Sequence, residues 1–350
     1  MKHKKNHLTI TGLVALLFSS VIVGCGSDEA ARGTERAPIV LDAVVGNHSS
    51  ITRFSNYENA TQTTKIYPGQ YVWVWALYHS DASEYMPAWR LTANSSGVLV
   101  GSAKYYPDTG ASIDLIAVQG NFSESIDEAA ETHFPTSGLT HSVKDNQSSE
   151  SDYASSDLLY ARVDNRKGTD NGVVTLPFKH YLSRIEITLE SDNYSQDDLK
   201  HATVEIVGVQ KTVTISMDNA NAEMEPTVTP TGGTGSITLK NGTEGNARGV
   251  GDSSNGRDYL EAIVPPQVLT EGDAFIKVTL TSRNGRVLNY QVPATGFNTD
   301  NGFSDEQKRT LLANRRYQFI FTLYESNITL SGATYQDGFE DTAVEIKPEA

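Results

Sequence analysis

Only one cysteine stands in the chain, Cys25, so no disulfide can form within it and a Cys-rich zinc site is excluded. Basic residues are scarce: 28 Lys and Arg face 43 Asp and Glu, a formal net charge of −15. A nucleic-acid binder draws much of its affinity from Lys and Arg on phosphates, and a polybasic membrane-surface protein needs the same surplus. The charge argues against both. Apolar residues are also sparse, at 38% of 350, which suits a globular chain with long polar loops rather than a membrane bundle. At ~100–200 residues per domain, this length suggests two domains.

Long apolar runs are limited to one. After Lys2, Lys4 and Lys5, residues 8–23 are mostly apolar. That is short of the ~20 residues a spanning helix needs, but it suits the apolar region of a signal peptide, here 1–24. The run ends in Ile22-Val23-Gly24-Cys25, which resembles a bacterial lipobox. The resemblance implies a lipid on the Cys25 thiol and, before any maturation, anchorage to the outer membrane. The acidic Gly26-Ser27-Asp28-Glu29 that follows resembles a surface-export signal. A lipidated Cys25 is also unavailable as a nucleophile.

Catalytic motifs are absent. There is no His-Glu-x-x-His, no Gly-x-Ser-x-Gly and no Walker loop. Gly249-Val250-Gly251 begins a dinucleotide-type pattern, but Ser254 stands where its third glycine belongs. His48, His79, His133, His141, His180 and His201 show no metal-ligand spacing and read as structural. The acid-rich turns 164–172 and 300–306 lack EF-hand spacing and read as solvated. Trp73 and Trp75 share one side of a strand, more a core feature than a sugar platform. The expectation is a non-enzyme with no cofactor and no metal.

What is present is alternation. In 184–190, Ile185, Ile187 and Leu189 alternate with Arg184, Glu186 and Glu190, a strand with one face in a core and one in water. Tyr317, Phe319, Phe321 and Leu323 repeat the pattern, as do Val213, Ile215 and Met217, and Ile276, Val278 and Leu280. Residues 72–78 are more continuously apolar and read as buried on both faces. Asn171-Gly172 and Asn284-Gly285 are hairpin cues, because both turn residues tolerate positive φ. The best helix candidate is 304–314, with Ser304 and Gln307 spaced as a capping box. Residues 131–156 and 225–257 read as long loops, and a domain boundary fits between Val163 and Val173. Short strands at regular spacing imply an all-β fold of antiparallel sandwiches.

The ordered blocks of the chain resemble the fimbrillins, the subunits of type V pili. These blocks are 39–45, Ile51-Thr52-Arg53, 71–76, 105–107, 113–117, 157–161, 176–180, 265–269 and 312–317. The resemblance implies two tandem transthyretin-like β-sandwich domains, at 54–168 and 169–350, behind a lipidated propeptide at 25–53. It implies a removable strand bearing Ile39, Leu41, Ala43 and Val45. It also implies cleavage between Arg53 and Phe54, and polymerisation by strand exchange with other pilin subunits in a homo- or hetero-polymer. Phe54 stands where the family usually has Ala, and Arg36-Ala37 offers that commoner pair ahead of the strand. Near the C-terminus, 343–347 alternates and supplies a candidate donor strand through Val344 and Ile346. Localisation is expected at the outer membrane and in the fimbrium. The alternatives are a tip or anchor subunit, or a monomeric surface lipoprotein whose loops 131–156 and 225–257 bind a glycan or host protein.

Overall fold

The computed structural model describes residues 36–45, 66–96, 98–170, 172–217, 225–241, 259–297, 302–337 and 339. Cys25, Arg53, Phe54, Val344 and Ile346 lie outside them, as do His48 and 249–254.

The first part of the chain supplies β1 (Val40–Val45), β2 (Tyr71–Tyr78), β3 (Glu84–Ala93), β4 (Leu99–Gly101), β5 (Ile113–Gln119) and β6 (Leu139–Ser142). Helix α1 (Glu150–Ser156) follows, then β7 (Leu159–Arg166), β8 (Val173–His180), β9 (Ser183–Glu190) and α2 (Gln196–Lys200). Next come β10 (Ala202–Ser216), β11 (Thr227–Thr238), β12 (Lys240–Asn241), β13 (Leu260–Val264), β14 (Gln267–Val268), β15 (Ala274–Leu280) and β16 (Arg286–Gln291). The described elements end with α3 (Asp305–Lys308), β17 (Thr310–Leu311), β18 (Arg315–Leu323) and β19 (Ile328–Asp337). The chain is all-β, and no described helix is long and apolar enough to cross a membrane.

Seven strands form one sheet in the order β1-β8-β7-β5-β2-β3-β4. Its ends meet. Ile39 N–H donates to Lys104 O at 2.8 Å and Tyr106 N–H to Ala37 O at 2.9 Å, so the segment after β4 closes against the start of β1. Inside lies one apolar cluster, including Leu41, Val74, Leu115, Leu176 and Phe178. The intervening residues of β2 and β5 point the other way. Trp75, Leu77, Ile116 and Val118 join a second cluster with Ile185, Phe275, Phe319 and Phe321 from later strands. That is why 72–77 is apolar without interruption but for half-buried Trp73: its two faces serve two cores. Two five-stranded sheets, β11-β10-β15-β16 with β6 also paired to β10, and β12-β13-β9-β18-β19, enclose the second cluster. Most pairings are antiparallel, but β1–β8 and β9–β18 are parallel, which alternation in single strands does not reveal.

Local chemistry accounts for several elements. Asn284 and Gly285 both have positive φ, 59° and 70°, and turn β15 into β16. Ser304 and Gln307 do form the capping box, but α3 stops at Lys308 and the chain enters β17 rather than continuing helical to 314. Of the two long loops, 131–156 contains β6 and α1, and 225–257 begins with the twelve-residue strand β11. β11 hid because both its faces are largely in water, so no apolar period marks it. Its Thr residues nevertheless favour extended backbone, and Pro230 is tolerated because β11 is an edge strand.

The charged face of β9 overturns another expectation. Arg184 and Glu186 are 3% and 1% exposed, not in water. Arg184 Nη2 lies 2.8 Å from both Glu186 Oε1 and Glu261 Oε2, and Arg316 Nη2 lies 2.8 Å from Glu186 Oε2. α1 covers this face, with Tyr153 Oη donating to Glu261 Oε2 at 3.1 Å. Gln147 bonds both ways to the Ile263 backbone, at 2.8 Å each. Residues 139–156 are therefore fastened to the later strands.

His141, on β6, is wholly buried. Its Nε2–H donates to Ser156 O and its Nδ1 accepts from Asn121 N–H, both at 2.9 Å. Burial holds its pKa down at about 4, from an ordinary 6.5. The unfolded chain therefore binds a proton here that the folded chain refuses. Stability is full above the unfolded value and falls as pH drops from about 6.5 towards 4, by about 3 kcal/mol in all. Urea midpoints between pH 7.5 and 4.5 test this: His141→Gln should flatten that part of the profile relative to the parent. An unchanged slope would place the acid sensitivity elsewhere.

Candidate functional site

β1 sits in an apolar groove beside β8. Alternate residues Leu41, Ala43 and Val45 of β1, with Ile39 just before it, are 7%, 1%, 1% and 5% exposed, while Val40 on the other side is open to water. Residues 40–45 are thus a strand with Leu41, Ala43 and Val45 inward. It runs parallel to β8 in the register Val40↔Val173 through Val45↔Phe178, pairing Leu41 with Val174 and Ala43 with Leu176. Val174, Leu176 and Phe178 are buried beside it.

β8 depends on this partner. β7 pairs with β8 only at Leu159↔His180 and Tyr160↔Lys179. Across 173–178 the described ladder of β8 is the one with β1. Buried N–H and C=O groups need partners, so an emptied groove is costly to leave open.

At the N-terminal end of the groove lies a cavity of about 310 Å³, lined by Pro38, Val40, Tyr106, Arg166, Asp170 and Val174 among others. Among the described residues, Arg166 Nε is buried there with no hydrogen-bond partner. Burial raises the Tyr106 hydroxyl above its ordinary pKa. Asp170 Oδ2 accepts from Lys167 N–H at 2.8 Å, which closes the turn between β7 and β8.

The opposite end is built differently. His180, the last residue of β8, sets Nδ1 at 2.7 Å from Asp157 Oδ2, with both side chains buried. The Phe339 ring stacks on His180 at 4.0 Å between centroids and 24° between planes. The segment beyond Phe339, which carries Val344 and Ile346, therefore starts at the end of the strand that β1 accompanies. No sequence pattern signals the stacking of Phe339 on His180, which joins residues more than 150 positions apart.

The other described histidines find partners. His79 Nδ1 lies 2.7 Å from Asp114 Oδ1, His133 Nδ1 lies 2.7 Å from Glu84 Oε1, and His201 Nδ1 bonds Asp197 O at 2.8 Å. Trp75 is wholly buried, its indole N–H donating to Thr132 O at 3.0 Å. Among the described residues, no three His, Cys, Asp or Glu side chains gather as metal ligands.

The fimbrillin-like family matches residues 52–337 of the chain. Among solved structures, the chain resembles a Bacteroides uniformis protein named for cell adhesion at 20% identity. That match covers 86% of this chain and 97% of the other, with a TM-score of 0.55. A Bacteroides ovatus protein with the same naming is 12% identical, over 88% of this chain and 99% of that one, with a TM-score of 0.53. The tip fimbrial protein Mfa3 of Porphyromonas gingivalis, truncated at its C-terminus, is 10% identical over 85% of this chain and 99% of its own, with a TM-score of 0.47. A comparison with curated proteins finds no match.

Proposed function

The chain belongs to the fimbrillin-like family, and from that premise we propose that it is a structural, non-enzymatic subunit of a cell-surface type V pilus that supports adhesion. The precursor is a lipoprotein anchored in the outer membrane through Cys25. Cleavage between Arg53 and Phe54 cuts the segment that holds β1 to the rest of the chain. β1 then leaves, and an extended segment of a neighbouring subunit fills its place. The division into tandem sandwiches at 54–168 and 169–350 belongs to the same reading.

The seating of β1 is the observation that supports it most. A strand held by side chains in a groove, laddered along 40–45 on β8 and bonded through Ala37 and Ile39 to 104–106, lies at the seam of the sheet, where it can be exchanged without unravelling the other strands. The replacement recovers main-chain bonds from β8 and fills the same pockets with alternate side chains, the physics of β-augmentation. Arg53 falls after β1 and before β2, so a cut there separates β1 from the remaining strands.

Arg53→Ala is the direct test. Exposed to an arginine-specific protease, the parent should lose a fragment ending at Arg53, read by mass spectrometry. It should then form detergent-resistant ladders on unheated gels. Arg53→Ala should stay joined to β1 and remain a single band, with an unchanged melting temperature. Normal fibres from the variant would remove Arg53 from the mechanism.

A further inference from the structure

We propose that, once β1 is released, the chain's own segment 340–347 folds back into the vacated groove, antiparallel to β8, and caps the subunit in cis until a neighbour displaces it. The proposal rests on the reading that β1 is released, and it adds a state between cleavage and assembly.

Place and length come first. Phe339 is fixed against His180, at the C-terminal end of β8 and just beyond the Val45↔Phe178 pair. Residues 340–350 follow. At ~3.3 Å per residue they reach ~36 Å, against the ~20 Å needed to run alongside a six-residue strand. A segment starting there meets β8 at its end and travels back along it, so the pairing is antiparallel where that of β1 is parallel.

Register follows from side-chain parity. Val174, Leu176, Phe178 and His180 share the buried face of β8. The register that turns Val344 and Ile346 inward sets residue 340 opposite His180. Val344 then lies opposite Leu176, in the place of Ala43, and Ile346 opposite Val174, in the place of Leu41. Thr342 faces Phe178 in the place of Val45. Ile for Leu is close in volume, Val for Ala adds two carbons, and Thr for Val keeps the size but brings a hydroxyl to the mouth of the groove.

The outward positions agree in charge. Asp341 falls opposite Lys179, which is about half exposed and also pairs with Glu225. Glu345 takes the outward position of Asp42. A tethered strand competes at an effective concentration near millimolar, so it outruns a micromolar neighbour by about a hundredfold or more. Assembly then requires displacement, which delays it.

Thr175 and Glu345 are the outward pair to test. The full chain, with Cys25→Ser, Thr175→Cys and Glu345→Cys, carries a recognition site for an unrelated sequence-specific protease within 46–52. β1 is thereby freed whether or not Arg53 is a natural cleavage point. Under mild oxidant at micromolar protein, the cut chain should give a monomeric disulfide, mapped by mass spectrometry. Its yield should be independent of concentration and about tenfold or more above that of the uncut chain, whose groove β1 occupies. A disulfide found only between chains would overturn the cis state and leave strand exchange standing. No 175–345 disulfide of either kind would overturn the assignment of the tail. Equal yield before and after the cut would overturn the dependence on release of β1. The Arg53 experiment reads the parent reading separately.

Discussion

Arg184→Met is expected to lower the unfolding free energy by about 3–5 kcal/mol, because it leaves two buried carboxylates without their shared cation. Glu186 and Glu261 are each 1% exposed and converge on Arg184 Nη2 at 2.8 Å. Neither carboxylate can recover its solvation, since α1 and Tyr153 lie over the site. The paired variant Arg184→Met with Glu261→Leu should cost less than Arg184→Met alone. It removes one charge of each sign and leaves Arg316 on Glu186. Urea unfolding of the two single variants and the double variant gives the coupling energy directly. Additive losses would mean that the four charges act independently, contrary to the geometry. The network also reaches the groove: α1 ends beside Asp157, which holds His180 at the end of β8.

Leu41→Asp should unseat β1. The strand is held by Ile39, Leu41 and Val45, each contributing roughly 2 kcal/mol of apolar burial, plus the β8 ladder. An aspartate at 41 removes one of those contributions and places a carboxylate beside Val174 with no partner. The expected loss in the local stability of β1 is about 3 kcal/mol or more. Hydrogen exchange reports it: amides of 40–45 and 173–178 should exchange about a hundredfold faster, since 1.4 kcal/mol is a factor of ten. Sites in β18 and β9 should keep their protection. Asp42→Asn, on the outward side, is the control and should change little. If Leu41→Asp left 173–178 protected, apolar packing of β1 could not be what closes the groove.

Much of this architecture was legible in the amino-acid sequence, for a physical reason. Strand side chains alternate with period two, so Tyr317, Phe319, Phe321 and Leu323 announce a strand and its buried face without any knowledge of what packs there. Asn284-Gly285 announces its turn through backbone sterics alone, and Ser304 announces a helix start through its own hydroxyl. These are local properties, and local chemistry carries them. The inward set of β1 comes from the family resemblance instead, because Val40 and Val44 are apolar too and blur its alternation.

Only the tertiary structure decided what covers each face and which strand lies beside which. Arg184 and Glu186 alternate with aliphatics as a solvated face would, yet α1 buries them, and ion pairing over a long sequence separation makes that burial tolerable. β11 has no buried period to reveal it; its ladder with β10 comes from backbone bonds that every sequence can make. The parallel register of β1 on β8 and the meeting of His180 with Phe339 join distant positions. They are set by the closing of the sheet around its core, because a pattern within one strand reports its own alternation and nothing about its neighbour.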